Sequence, residues 1–538
     1  MIPSRKFCQK NFLTMDYRQQ NNHMNALSFL NLSLPKDILT SVISFLSPEQ
    51  QLLDRRVSQT WLKASKARLC EFALMRSITK LPKGERNLFL KGHLGLIQHL
   101  GNLNFHSLLD PNSKFKREFL SKVTESKLEE GSLSVITYLQ SLSEKQRGMI
   151  ETLEFSCDAQ DFTDEHIAEM LALCPRLKSL TLINSQITGV GLAQILEGNQ
   201  LESLYLDCCE NLDEDALANF FLKTPDLKEV KFFETNIKGR CLAEIPEGNH
   251  IEKFVLHECD YPDEDDLAIF FSKATFLREL DLSYTLTAGG CLADIPEENH
   301  LEKLSLSLSS HDPAEDDLAV FFSKATHLRE VILSSTSISG RCLAQIPEEN
   351  HIEKILLNSC HGLDEDFLVD FFSKATHLRE VILSSTNISG RCLTQIPEEN
   401  HIEKLLLKLC ENLSEDALAD FLSKAAHLRK IDLSSTNITG KCLTHIPEKN
   451  YLEKLDLNYC QNLIECFLAG FFFQKMANLK EVNFYAANIT GEGLSFIAKK
   501  NRLERINLQE CDNLKKGFLS PFFSKTPYLK EIKFSKQI

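Results

Sequence analysis

The chain has 538 residues, 43% apolar and 25% charged, with 75 acids against 60 Lys and Arg and a net charge of −15. That balance argues against non-specific nucleic-acid binding, and the longest apolar runs, such as residues 468–473, are far too short to cross a bilayer, so neither nucleic acid nor membrane is an expected partner. Arg5 and Lys6 are followed by no apolar stretch, so no secretory signal is visible, and most of the 17 cysteines recur at fixed intervals; they read as buried, reduced thiols in the cytoplasm or nucleus of a eukaryotic cell.

In chain order, residues 1–30 are rich in Asn and Gln and read as a flexible lead-in. Within residues 31–70, Leu34-Pro35 is followed by Ile38, Leu39, Val42, Ile43, Phe45 and Leu46, an apolar helical face. Ser47-Pro48 breaks it, Ser as a cap and Pro as a first-turn residue. Leu52, Leu53, Val57 and Trp61 then mark a second face, Trp61 being the only tryptophan in the chain.

This segment resembles the F-box: an LP start, the I-L-x-x-V-I-x-F-L helix, an S-P-E-Q-Q-L-L turn and a V-S-x-x-W end. The resemblance implies an all-helical module that docks on the Skp-family adaptor of an SCF ubiquitin ligase, and through it on the cullin and RING subunits. It assigns Leu34, Pro35, Ile38, Leu39, Ile43, Leu46, Val57 and Trp61 to F-box packing or the adaptor contact. So short a segment buries little core alone, so a partner or the following helices must cover its apolar surface. Residues 71–149, broken at Leu81-Pro82-Lys83-Gly84 and Asp110-Pro111-Asn112, read as a mainly helical linker and cap.

From Ile150 to the end the sequence repeats every 50 or 51 residues, the mark of a stacked solenoid rather than an enzyme core. Each block holds two half-units that open on LxxLxL or an aliphatic variant, as in Leu452, Leu455 and Leu457, or Leu428, Ile431 and Leu433. The alternating apolar pair suits a short strand, and the helical spacing after it, as in Leu418, Phe421 and Leu422, predicts a strand plus a helix per unit. About sixteen such units over 150–538 resemble the cysteine-containing leucine-rich repeat. That resemblance implies an α/β horseshoe with parallel strands on the concave side and helices on the convex side.

Counting the first residue of each half-unit as position one, positions two and three alternate in sign, as in Glu353, Arg379 and Glu403, or Lys354, Glu380 and Lys404, broken at Lys430. Strands about 4.8 Å apart would set these charges into register-fixing ladders. Three places after LxL comes a small residue, Cys360 or Cys410 in one half-unit and Thr336 or Thr386 in the other, which fits a bend whose backbone is satisfied internally. Acid runs such as Asp364 to Asp366 read as helix caps rather than a cation site. Histidines precede position one in six successive units, His300 to His427; with no Cys or acid placed to complete a zinc site, they read as duplicated turn residues.

Position five should face solvent. It reads Tyr205, Lys231, Val255, Asp281 and Ser305, then Ile332, Leu356, Ile382 and Leu406, then Asp432, Asp456 and Asn483. Four consecutive branched aliphatics form an apolar stripe, the candidate target-binding surface. No catalytic constellation, metal site or cofactor motif is found, so the expected role is a non-catalytic one: the substrate-recognition subunit of an SCF-type ubiquitin ligase, gripping a protein substrate. The alternative is a leucine-rich-repeat interaction scaffold or inhibitor outside the ubiquitin system, which would also suit a bacterial effector acting in a host cell.

Overall fold

The computed structural model describes the strand Leu103–Asn104, residue 136, and residues 139–535 apart from 157–161, 260–261, 308–313 and 475–477. The F-box-like segment, residues 31–70, and most of the linker lie outside the described residues. Two units cluster separately, Met1–Phe162 with Ala172–Ser179, and Thr163–Leu171 with Leu180–Ile538.

In the first unit Ser143 caps the short helix Glu144–Arg147, and the Gln146 side chain accepts in return from the Ser143 N–H at 2.8 Å, a reciprocal capping box. The strand Thr152–Ser156 pairs in parallel with Leu103–Asn104, Leu103 opposite Leu153. A strand therefore sits inside the segment that reads as mainly helical. Leu153 and Phe155, on alternate positions of the strand, are wholly buried.

The second unit is a leucine-rich-repeat solenoid. Fourteen described strands, from Ser203–Asp207 to Glu531–Phe534, each pair in parallel with the next. Register follows the repeat: Ile355 stands opposite Val331 and Val381, and Leu405 opposite Val381 and Ile431. These are the apolar residues of LxxLxL. The strands Glu330–Ile332, Lys354–Leu356, Glu380–Ile382 and Lys404–Leu406 alternate half-buried and buried side chains, so the aliphatic row faces inward as period two requires.

The two half-units differ in their second element. In the first, helices of nine or ten residues form, such as Glu264–Lys273 and Glu365–Lys374. Leu368, Phe371 and Phe372 recur at helical spacing on one face, all with no exposed surface, and the paired phenyl rings lie 5.1 Å apart. In the second half-unit the expected helix shrinks to a single tight turn, as at Arg391–Gln395 and Cys442–His445. The reason is local. Gly390 takes φ +85°, a left-handed entry, and Ile396 leaves the turn in an extended φ −59°, ψ 130° that suits the following Pro397. Six residues remain between them, too few for a second helical turn.

The small-residue ladder closes the strand-to-helix bend as expected. The Thr336 hydroxyl donates to the Leu333 carbonyl at 2.7 Å, and the Cys360 thiol of the next half-unit donates to the same oxygen at 3.0 Å. Thr386 and Cys410 share Leu383 in the same way, at 2.6 and 3.1 Å. Burial pushes the Cys209 and Cys511 thiols up to about 11 and raises Cys360 and Cys410. Among the described cysteines only Cys466 is exposed and Cys208 half-buried. Under native conditions a thiol reagent is expected to modify Cys466 first among the described cysteines and to reach Cys360, Cys392 and Cys410 only on unfolding. Peptide mapping of brief alkylation checks this, and rapid labelling of Cys410 would contradict the packing.

Candidate functional site

A set of polar ladders ties each repeat to the next, and the acid runs supply much of it. In Asp364-Glu365-Asp366 each carboxylate has its own task. Asp364 caps its own helix, accepting from the Asp366 N–H at 2.9 Å. Glu365 reaches the following half-unit, where its carboxylate accepts from the backbone N–H groups of Ser389, Gly390 and Cys392, the last two at 3.1 Å. Asp366 pairs with Arg391. Glu415 repeats the second task with the N–H groups of Gly440 and Cys442 and accepts from the Thr439 hydroxyl, and Asp164 performs it for the N–H groups of Thr188, Gly189 and Gly191. Capping therefore accounts for Asp364 and Glu365, the second as a cap of the neighbour, and an ion pair for Asp366.

The other end of each turn is satisfied by residues whose role the sequence reading missed. Lys374 and Lys424 donate to the carbonyls of Ala344 and Thr394 at 2.8 and 3.0 Å. Asn400, 3% exposed, donates to the carbonyls of Pro397 and Lys424 and accepts from the Ile402 N–H. Asn249, Asn299, Asn350 and Asn450 are buried at equivalent places. Their periodicity was the available signal; only the fold says that these amides are internal.

The open face of the sheet carries the charge ladders. Glu353 accepts from Arg329 at 2.6 Å and lies 3.6 Å from Arg379, which bonds Glu403 at 3.0 Å; Glu403 in turn meets Arg429 at 3.2 Å. In the next row Lys354 bonds Glu330 at 3.0 Å, and Lys404 pairs with Glu380. The break at Lys430 is real: it stands in register between Lys404 and Lys454. Each pair is solvent-screened and contributes on the order of 0.2–1 kcal/mol, so the ladders set register more than stability.

Position five lies on the same face. Ile332, Leu356, Ile382 and Leu406 stand directly opposite one another on four successive strands, all half-buried, and the row ends on Asp432 and Asp456. The structure thus places the four aliphatics in one contiguous line. At the other end the expectation fails in detail, because Val255 and Ser305 are buried at 6% and 5% exposure rather than open to solvent. Burial together with a neighbouring Asp432 raises Asp456 above the usual carboxylate range. The eight assigned F-box residues, Leu34, Pro35, Ile38, Leu39, Ile43, Leu46, Val57 and Trp61, lie outside the described residues.

The six histidines form pairs. Ring centroids are 5.2 Å apart for His300 and His327 and for His351 and His377, and 5.1 Å for His401 and His427; His427 then stacks on Tyr451 at 5.9 Å. Among the described residues no group of three or more His, Cys, Asp or Glu side chains converges as a metal site, and no helix is long and apolar enough to cross a membrane.

One further row escaped the sequence reading. The residue just before the Thr/Cys ladder takes a left-handed conformation in unit after unit, with φ from 46° at Glu234 to 60° at Tyr284 and Ser335. Its occupants include Cys208, Glu258, Leu409 and Tyr459, so no glycine announces it. The conformation costs about 1–2 kcal/mol per residue. It is offset by ladder bonds such as Ser385 N–H to the Lys408 carbonyl at 2.7 Å and Leu409 N–H to the Ser434 carbonyl at 2.9 Å.

No protein-family model matches the sequence, and no curated protein matches it in sequence. Among solved structures, the chain is similar to one in the TLR13–ssRNA13 complex, at 14% identity and a TM-score of 0.45 over 72% of this chain and 53% of that one, so it spans about half that chain's length. It is also similar to a chain of the Rad7–Elc1 complex in yeast, at 16% identity and a TM-score of 0.38 over 84% of this chain and 94% of that one. The architecture rests on the chain's own repeats: parallel strands in LxxLxL register, alternating α-helical and single-turn returns, and inward-bonded Thr and Cys ladders make it a leucine-rich-repeat solenoid.

Proposed function

We propose that this chain is the substrate-recognition subunit of an SCF-type ubiquitin ligase, in which residues 32–65 dock on a Skp-family adaptor and the sheet face of the solenoid holds a protein substrate. The observation that carries the reading is the joining, in one chain, of an F-box-like segment with a repeat array whose sheet face bears an in-register aliphatic row. The row supports substrate capture because it is the one strand position where charge gives way to four adjacent branched side chains, bordered by the carboxylates of Asp432 and Asp456. The chain itself would supply no catalytic group; the adaptor, cullin and RING subunits would bring the ubiquitin-transfer machinery to the bound target.

Co-expression with a Skp-family adaptor is expected to yield a stable complex from the wild-type chain and about a hundredfold less from Leu34→Ala/Pro35→Ala, with unchanged melting of the repeats. A chain that never retains the adaptor is instead an interaction scaffold or inhibitor, and this reading fails.

A further inference from the structure

A second row of side chains crosses the first repeats of the solenoid, away from the aliphatic line. Tyr205, Phe233, His257 and Tyr284 come from four successive half-units, and their rings touch in sequence. Centroids are 5.3 Å apart for Tyr205 and Phe233, 4.9 Å for Phe233 and His257, and 4.8 Å for His257 and Tyr284. The Phe pairs of the helices are packed into the core, but this ladder is half-open, and Tyr284 at its end is 46% exposed. The Tyr284 N–H donates to the Ser307 carbonyl on the adjoining strand end at 2.8 Å, which fixes the backbone under the last ring.

Carboxylates run beside the rings: Asp207, Glu234 and Glu258. Asp207 accepts from the Tyr205 hydroxyl at 2.9 Å and from the Cys208 thiol at 3.3 Å; Glu234 accepts from the same thiol at 3.6 Å; Glu258 lies 3.9 Å from His257 Nδ1. Among the described residues none of the three pairs with a Lys or Arg, although the acids on the neighbouring strand bodies do, Glu279 with Lys253 at 2.6 Å and Glu302 with Arg278 at 2.6 Å. The nearby Lys231 is engaged by Glu229 at 2.7 Å. Burial, and after it the Asp207 carboxylate, pushes the Cys208 thiol up to about 12, in keeping with an uncompensated negative field.

We propose that this aromatic ladder with its acidic margin is a docking site for an arginine-bearing basic segment of a protein partner. Aromatic surface beside carboxylates that no Lys or Arg neutralises is what a guanidinium recognises: it stacks on a ring and bonds carboxylate oxygens as a planar fork. An ammonium can use the charge but not the fork, and a nucleic-acid backbone has the wrong sign. No residue of the site belongs to the aliphatic row or the F-box-like segment, so the proposal stands or falls independently of the ligase reading.

The test uses the full chain and fluorescein-labelled hexa-arginine and hexa-lysine peptides, followed by anisotropy at physiological ionic strength. Hexa-arginine is expected to bind more tightly than hexa-lysine. Tyr284→Leu should weaken hexa-arginine about five- to tenfold and remove the preference over lysine. Leucine is tolerated there, since Leu409 occupies the same backbone conformation at φ 60°. Glu234→Gln/Glu258→Gln should weaken both peptides, whereas the control Asp370→Asn/Glu411→Gln, removing two exposed acids elsewhere, should leave both unchanged. Equal affinity of Tyr284→Leu and wild type for hexa-arginine, or equal losses in the control, would overturn the site.

Discussion

Replacing Ile382 and Leu406 together by Asp is expected to abolish substrate capture while leaving the solenoid folded. The two residues stand opposite each other on adjacent strands at the centre of the aliphatic row. A partner that buries them gains about 1.5–3 kcal/mol per side chain, and the substitution both removes that gain and leaves a carboxylate to be desolvated. Capture should therefore fall by at least a hundredfold. The fold should survive because Asp432 already occupies the same place on the next strand. Four Asp in line would repel one another, so Ile382→Ser/Leu406→Ser serves as the charge-free companion; Ser305 shows that serine fits this position. Proximity labelling in eukaryotic cells reads the result, with the chain lacking residues 32–65 as the reference for adaptor-dependent neighbours. If both variants label the same proteins as wild type, the row is not the capture surface.

The second large effect concerns stability. Glu365→Ala should cost about 2–4 kcal/mol, since it strips three backbone N–H groups and the Ser389 hydroxyl of one shared, charged acceptor in a partly buried place. Glu365→Gln should cost less, about 1–2 kcal/mol, because its amide oxygen still accepts while its NH₂ faces donors. By contrast, Arg379→Ala removes only screened ion pairs and should cost less than about 1 kcal/mol. Repeats are stabilised by their neighbours, so the loss should appear first as faster hydrogen exchange across residues 389–396, then as a lower urea midpoint. Equal midpoints for Glu365→Ala and Arg379→Ala would refute the cross-repeat cap.

Much of this was legible because a repeat multiplies every weak signal. The LxxLxL register, the inward Thr and Cys ladders and the alternating charges of Glu353, Arg379 and Glu403 follow from period two and strand spacing, and the structure has them in those places. The Asp364 cap was also readable, since it acts within a few residues of itself. What was missed acts across about 24–30 residues. Glu365 bonding Cys392, Lys374 bonding Ala344 and Asn400 bonding Lys424 pair groups whose nearness is created by stacking. The apolar residues of the second half-unit recur at helical spacing, but the short span between Gly390 and Pro397 overrides that pattern.

The sequence by itself determined the architecture: strand period, half-unit length and the inward identity of each row are local properties, repeated until chance matches are excluded. It also determined that Ile332, Leu356, Ile382 and Leu406 share one strand position, since equal phase in a solenoid means adjacency. Only the tertiary structure decided which of the remaining polar and aromatic residues act together. The left-handed conformation at Tyr284 and Leu409 is imposed by a hydrogen bond to the next unit and leaves no trace in residue type. The successive contacts of Tyr205 with Phe233, Phe233 with His257 and His257 with Tyr284 cross strand positions that no single periodicity links. Ladders of like residues can be counted along a chain, whereas a site built from unlike residues is assembled by packing.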